Sequence, residues 1–268
     1  MITADYHVHT SFSSDSKSEM EEMILGAIAL GFDRVCITDH MDYDFPDKYK
    51  LPFVFDPDAY FTRLDELEKK YRDKIKLLKG IELGLRPYLS DRYETLITSY
   101  PFDFVIGSSH LANDMDPYQS EYWADITEEE GHRIYFQSIV DNIKSYQNFD
   151  VYGHLDYVIR YGPTKNQNYR YQMYQDLLDE ALNLLIASDK GIELNTAGFK
   201  YGLGQPHPHP DLIKRYLELG GNTITIGSDG HRPEHMAYDF DKARELLLSF
   251  GVTHYTVFEK REKIILPL

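Results

Sequence analysis

Seven apolar, strand-like runs in this chain each end in a side chain of the kind that binds metals, and no other feature restricts the fold as much. The first is Asp5-Tyr6-His7-Val8-His9, close to the N-terminus. The others are Ile37-Thr38-Asp39-His40, Gly80-Ile81-Glu82, Ile106-Gly107-Ser108-Ser109-His110, Val151-Tyr152-Gly153-His154, Ile192-Glu193-Leu194-Asn195 and Ile226-Gly227-Ser228-Asp229-Gly230-His231. Residues two apart in a strand point to one side, so His7 and His9 can reach a common ion, and Asp229 and His231 share that spacing. Ligands at successive strand ends converge if the strands close into a barrel, whose carboxyl-terminal strand ends share one face.

Helical patterns separate these runs. Ser18 and Glu21 have capping-box spacing ahead of Met20, Met23, Ile24, Ala27 and Ile28. Asp56-Pro57 supplies an N-cap and a first-turn proline, and Thr127 with Glu130 forms a second capping box. Further helices are expected near 90–99, 128–146, 171–189, 210–219 and 235–249, with a last strand at Tyr255 to Phe258. Strands alternating with helices imply an α/β fold with a parallel sheet. No linker divides the 268 residues, so one domain over 1–268 is expected. The loops Asp42 to Phe55, Asn113 to Asp125 and Tyr161 to Tyr169 are long and aromatic, suited to shaping a substrate pocket.

An apolar share of 42% can fill a large core. The net charge of −16, with no Lys/Arg-rich tract, argues against duplex nucleic acid as a partner. No run of about 18 apolar residues indicates a membrane span, and His7 comes too early for a secretory leader, so a cytoplasmic location is expected. Cys36, the sole cysteine, lies in the apolar run Arg34-Val35-Cys36-Ile37 and reads as a buried thiol.

Glu82 is a carboxylate in an otherwise apolar strand, where an unpaired charge would be expensive and a metal resolves the cost. His40, His110 and His154 stand at strand ends, and Asp15 lies in the loop after the first run. A strand-end histidine alone is usually a hydrogen-bonded residue; six with three carboxylates point to a metalloenzyme. His132, His235 and His254 fall outside the pattern, and His207 and His209 sit in the rigid Pro206-His207-Pro208-His209-Pro210. Other phosphatase signatures fail: the sixth residue after Cys36 is Asp42, not arginine, and Asp42-Tyr43-Asp44-Phe45-Pro46 departs from the aspartyl-phosphate motif. Neither a phosphate-binding Gly-Lys-Ser/Thr loop nor a Gly-x-Ser-x-Gly elbow occurs.

Tyr6-His7-Val8-His9-Thr10, Thr38-Asp39-His40, Gly80-Ile81-Glu82, Ser109-His110, Gly153-His154-Leu155-Asp156 and Gly227-Ser228-Asp229-Gly230-His231 resemble, in order, the motifs of the PHP family, the polymerase and histidinol phosphatase superfamily. The resemblance implies a distorted (β/α)7 TIM-like barrel, the PHP fold, with two to three divalent ions (Zn, Mn or Fe). It implies His7, His9, Glu82 and Asp229 on one ion, Glu82, His110 and His154 on a second, and Asp15, His40 and His231 on a third. Glu82, His110, Asp229 and His231 become the catalytic candidates.

Within the family, chain length and Gly153 to Tyr161 resemble the histidinol-phosphate phosphatases. That implies a small-molecule phosphomonoesterase of histidine biosynthesis, using a metal-bridging hydroxide and needing no partner protein. Arg160 matches the phosphate-binding arginine; Lys200 is the best second cation, with Arg232 behind it. Asp42, Asp44 and Asp156 are available for the cationic amine of the substrate. Three divalent ions against three carboxylates would make the site positive inside an acidic chain. Competing readings are a PHP phosphoesterase acting on phosphotyrosine, a nucleotide or a nucleic-acid 3' end, and a noncatalytic metal-stabilised accessory module. Glu193 and Asn195 match no ligand set and read as barrel core or as groups supporting the ligands.

Overall fold

The computed structural model describes residues 1–268. Eight parallel strands in chain order form the barrel wall: β1 (Ala4–Asp5), β2 (Arg34–Ile37), β3 (His40–Met41), β4 (Lys76–Gly84), β5 (Phe104–Ser108), β6 (Val151–Tyr152), β7 (Gly191–Asn195) and β8 (Ile224–Gly227). β2 and β3 both pair with β4 and act as one interrupted strand, so the wall has seven staves. The interruption at Thr38-Asp39 is chemical: Thr38 Oγ1 accepts the Val8 N–H (3.0 Å), while Asp39 accepts the Thr10 N–H and the hydroxyls of Thr10 and Ser13. The chain beyond β1 closes the barrel, as Tyr6 N donates to Ile226 O (3.1 Å) and His9 N to Gly230 O (2.9 Å). This is the distorted (β/α)7 barrel expected.

The helices are α1 (Met20–Ala29), α2 (Pro57–Tyr71), α3 (Ser90–Ser99), α4 (Glu128–Ser145), α5 (Gln175–Ala187), the single turn α6 (Ala197–Lys200), α7 (Pro210–Glu218) and α8 (Phe240–Ser249). Asp56 caps α2 by accepting the Asp58 N–H, and the Thr127–Glu130 box caps α4 as its sequence predicts. Three expectations shift. α1 starts one residue later than its signature, with Glu22 accepting the Glu19 N–H (3.0 Å) in place of the Ser18–Glu21 pair. α5 and α8 are shorter than expected, each preceded by a 3-10 turn, at Tyr171–Met173 and Pro233–His235.

The expected last strand, β9 (His254–Glu259), does not join the wall. It forms an antiparallel hairpin with β10 (Glu262–Pro267). The hairpin covers the amino-terminal end of the barrel, where Tyr6 donates its hydroxyl to Phe258 O (2.8 Å). Glu262 and Lys263 do not prevent the hairpin's pairing, which needs only backbone groups. A continuous cluster of 68 buried apolar residues runs from Ile2 to Phe258, and Cys36 lies within it. No helix is long and apolar enough to cross a membrane.

Candidate metal centre

Register creates the centre. His40 is the Cα partner of Glu82, so the two side chains leave neighbouring strands at one level. Glu82, fully buried, becomes the hub. Its Oε2 lies 3.2 Å from His7 Nε2, 3.5 Å from His9 Nε2 and 2.9 Å from His40 Nδ1. Its Oε1 lies 3.0 Å from His154 Nε2 and 3.2 Å from His110 Nε2, and accepts the Ser108 hydroxyl (2.7 Å). Asp229 Oδ1 is 3.5 Å from His9 Nε2 and 3.4 Å from His231 Nδ1. Asp15 Oδ2 is 3.0 Å from His231 Nε2 and 3.7 Å from His40 Nε2. All nine expected ligands therefore meet at the carboxyl-terminal face.

The donor set fits divalent cations. His7 Nε2, His9 Nε2, His40 Nδ1 and Glu82 Oε2 are buried and make no hydrogen bond. Each such orphan costs about 1–3 kcal/mol, and a shared cation removes the cost for several at once. Ligand atoms within 4.8 Å of one another come from His7, His9 and Glu82; from Glu82, His110 and His154; and from His9, His40 and His231. A fourth group, His40, Asp42 and His110, was not expected.

Groups behind the ligands orient them. Glu193 Oε1 lies 2.6 Å from His7 Nδ1, leaving Nε2 as the free lone pair, and Glu193 Oε2 accepts the His154 N–H (3.0 Å) and an Asn195 amide N–H (3.1 Å). A side chain at Gly227 would place its Cβ 2.4 Å from His7 Cβ and 2.5 Å from Glu193 Oε1, so only glycine permits this approach. Ser13 links His9 Nδ1 (3.1 Å) to Asp39 (2.6 Å). Asp229 adopts a left-handed backbone, φ 51°, a conformation that aspartate tolerates and that clusters at functional sites.

Protonation follows from this crowding. Burial pushes Glu82 up, but the imidazoles of His7, His40 and His110 win and hold its carboxyl well below the usual range. Burial pulls His7, His40 and His110 down; neighbouring carboxylates more than compensate, raising His40 to about 9 and the other two well above the ordinary value. His9 and His154 are lowered, chiefly by burial.

The sequence model of the PHP domain matches residues 5–197, most of the chain. The chain belongs to the PHP domain family. It is similar to the histidinol-phosphatase of Lactococcus lactis subsp. lactis (strain IL1403), 32% identical over 259 residues that cover 96% of this chain and 95% of that protein. It is likewise 32% identical over 257 residues to a "Probable histidinol-phosphatase" of Clostridium acetobutylicum, covering 96% and 97% of the two. The crystal structure of histidinol phosphate phosphatase from Lactococcus lactis, complexed with Zn, L-histidinol and phosphate, matches with a TM-score of 0.88 at 32% identity, over 98% of both chains.

In this PHP domain the centre opens into a cleft of about 510 Å³ lined by His40, His110, His154, Asp229 and His231 together with Arg160, Arg232, Asp116 and a belt of aromatic rings. The Arg160 guanidinium sits over three tyrosines, 4.2 Å from the ring centre of Tyr201, 4.7 Å from Tyr161 and 4.9 Å from Tyr157. It donates to the Tyr161 hydroxyl and pairs with no carboxylate.

The other expected substrate contacts do not line the cleft as expected. Asp156 is fully buried, taken up by His207 Nδ1 (2.5 Å) and the His209 N–H (2.7 Å). Lys200 donates to the Asp229 carbonyl (3.1 Å), so it braces the backbone of that candidate ligand. Asp42 reaches the cleft, but its Oδ2 is 2.5 Å from His110 Nδ1, which makes it a support for a ligand. Asp44 pairs on the surface with Arg92 (3.2 Å). Each of these losses came from local partners that lie far away in sequence. Asp116, not singled out in the sequence, also lines the cleft, from the loop Asn113 to Asp125 that was expected to shape a pocket.

Proposed function

We propose that this chain is a metal-dependent histidinol-phosphatase, hydrolysing L-histidinol phosphate to L-histidinol and phosphate, with residues 1–268 acting as one domain. The observation that carries the reading is the cluster of nine ligand-type side chains opening beside an unpaired arginine, in a PHP domain 32% identical over almost its whole length to a histidinol-phosphatase whose structure carries zinc, L-histidinol and phosphate.

His7, His9, Glu82 and Asp229 would hold one divalent ion, Glu82, His110 and His154 a second, and Asp15, His40 and His231 a third. Ions bound there supply Lewis acidity, making a water nucleophilic near neutral pH and neutralising phosphoryl oxygens. Arg160 binds the phosphoryl group with a charge-assisted contact; its aromatic cage holds the planar guanidinium in place without neutralising it. Asp42 and Glu193 hold His110 and His7 in the tautomers that leave a lone pair for metal. In the reaction a water oxygen bonds to phosphorus, the P–O bond to the alcohol breaks, and the alcohol oxygen gains the proton that the water loses.

The test is phosphate release from L-histidinol phosphate by protein stripped with chelator and reloaded with Zn, Mn or Fe. Turnover is expected only after reloading, and Arg160→Ala is expected to raise KM by roughly ten- to a hundredfold at unchanged metal content. No turnover with any metal overturns the enzyme reading, and equal loss of metal in the variant overturns the role of Arg160.

A further inference from the structure

Two buried side chains outside the metal centre tie the segment that carries Arg160 to the loop after β7. Asp156 is fully buried and His207 nearly so. His207 Nδ1 donates to Asp156 Oδ1 (2.5 Å), and the His209 N–H donates to Asp156 Oδ2 (2.7 Å). Neither Asp156 nor His207 lines the cleft, and neither side chain bonds to a candidate metal ligand.

Asp156 stands between the two functional ends of its segment. Two residues before it is His154, whose N–H Glu193 accepts (3.0 Å); directly after it comes the 3-10 turn Tyr157–Arg160. A single 3-10 turn has too few hydrogen bonds to fix its own direction; here Tyr157 N donates to His154 O (2.8 Å) and Ile159 N to Asp156 O (2.9 Å). Val158 and Ile159 pack inward, but apolar contact is non-directional. The Asp156 carboxylate, with two fixed donors, supplies the direction.

The anchor on the other side is built into the barrel. His207 exchanges both backbone hydrogen bonds with Asn195 at the end of β7 (2.6 and 2.8 Å), the strand that also carries Glu193. A Cβ at Gly198 would lie 2.4 Å from Gln205 O, so the loop between them folds closely on itself. Tyr201 of the same loop has its ring centre 4.2 Å from the Arg160 guanidinium. One loop thus holds the backbone before the arginine and the head group at its end.

We infer that the Asp156–His207 pair is a positioning device that sets the Arg160 guanidinium at the distance from the metal centre that a phosphoryl group spans. This rests on the phosphomonoesterase reading above, with Arg160 as its phosphate ligand. A misplacement of about 1 Å can cost on the order of a hundredfold, so groups that touch neither metal nor substrate can still control their joint use.

The experiment is a double-mutant cycle on the whole, metal-loaded chain: wild type, Asp156→Ala, Arg160→Ala and the double variant. Each is read as KM and kcat for L-histidinol phosphate and as inhibition by inorganic phosphate. With Arg160 present, Asp156→Ala is expected to raise KM and the phosphate inhibition constant together by about three- to thirtyfold at unchanged metal content; with Arg160→Ala it is expected to change neither. His207→Ala should act like Asp156→Ala. His207→Asn keeps a donor near the Nδ1 position and gives up no other side-chain bond, because Nε2 has no partner, so it should recover most of the loss.

Equal losses in both backgrounds, loss of metal, or lower stability at unchanged KM identify a pair that only supports the fold, and overturn the inference. If Asp156→Ala does not fold, the two His207 variants carry the same cycle. If Arg160→Ala alone changes neither constant, the phosphate role of Arg160 fails and the inference with it. If no metal gives turnover, the phosphomonoesterase reading fails, and the cycle is read as calorimetric affinity for inorganic phosphate: an effect of Asp156→Ala that requires Arg160 supports the pair's role, and one that does not overturns it.

Discussion

At the amino-terminal end of the barrel, Asp103 accepts the Lys79 and Lys260 N–H groups, both at 2.9 Å, and Asp150 accepts the Val105 N–H (2.8 Å) and Arg261 Nε (2.6 Å). At the opposite rim Glu82 is fully buried, yet its Oε2 faces nitrogens of His7, His9 and His40 that make no hydrogen bond of their own. Both ends bury carboxylates in the same parallel wall. One end satisfies them with fixed N–H donors, the other with side chains whose lone pairs compete for the same space. Burial of charge therefore does not mark the site; burial beside unsatisfied ligand atoms does.

The largest effect should separate the two ends directly. Glu82→Gln is expected to lose most of its metal and to lower kcat/KM beyond the roughly 10–100-fold typical of groups behind a metal. Asp150→Asn should keep its metal by elemental analysis and lose about 1–3 kcal/mol in urea unfolding. Comparable metal loss in Asp150→Asn would break the contrast.

A smaller effect sharpens it. Glu193→Gln leaves every direct ligand in place but weakens the hold on His7 Nδ1, so chelator competition should show metal affinity lower by about 10–100-fold. Unchanged affinity would mean that packing alone orients His7.

The smallest effect is in protons. His40, raised to about 9, and His7 and His110, also raised, hold protons in the metal-free protein at neutral pH, whereas metal binds neutral imidazole. Loading should therefore release protons, apparent affinity should fall as pH is lowered, and release from His40 should fade as pH rises past about 9. Calorimetry in two buffers of different ionisation enthalpy reads the release; identical heats would show that the imidazoles are already neutral.

All of the clustered side chains except Asp15, which comes from a loop, were legible in the sequence because each ends an apolar run, and strand periodicity with barrel closure leaves such positions nowhere else to point. The capping of α2 and α4 was legible for a similar reason, since caps are local. What failed depended on distant partners. Asp156 looked like a substrate contact from its place after His154, but His207, far along the chain, takes it up. Lys200 looked like a phosphate cation until the Asp229 carbonyl claimed it. Glu193 belonged to no ligand set, and its support of His7 needed the glycine gap at Gly227.

By itself, then, the sequence determined the alternation of strands and helices, the side of each strand that carries ligands, and the acidic exterior around a cluster of imidazoles. These follow from periodicity and composition, which act over a few residues. Only the tertiary structure decided that the last strand becomes a hairpin plug instead of an eighth stave, that Arg160 rests unpaired on three tyrosines, and that Asp156 meets His207. Each of those turns on which polar group meets which across long sequence separation, and burial makes that pairing decisive because an unmatched charge inside the cleft has no water to fall back on.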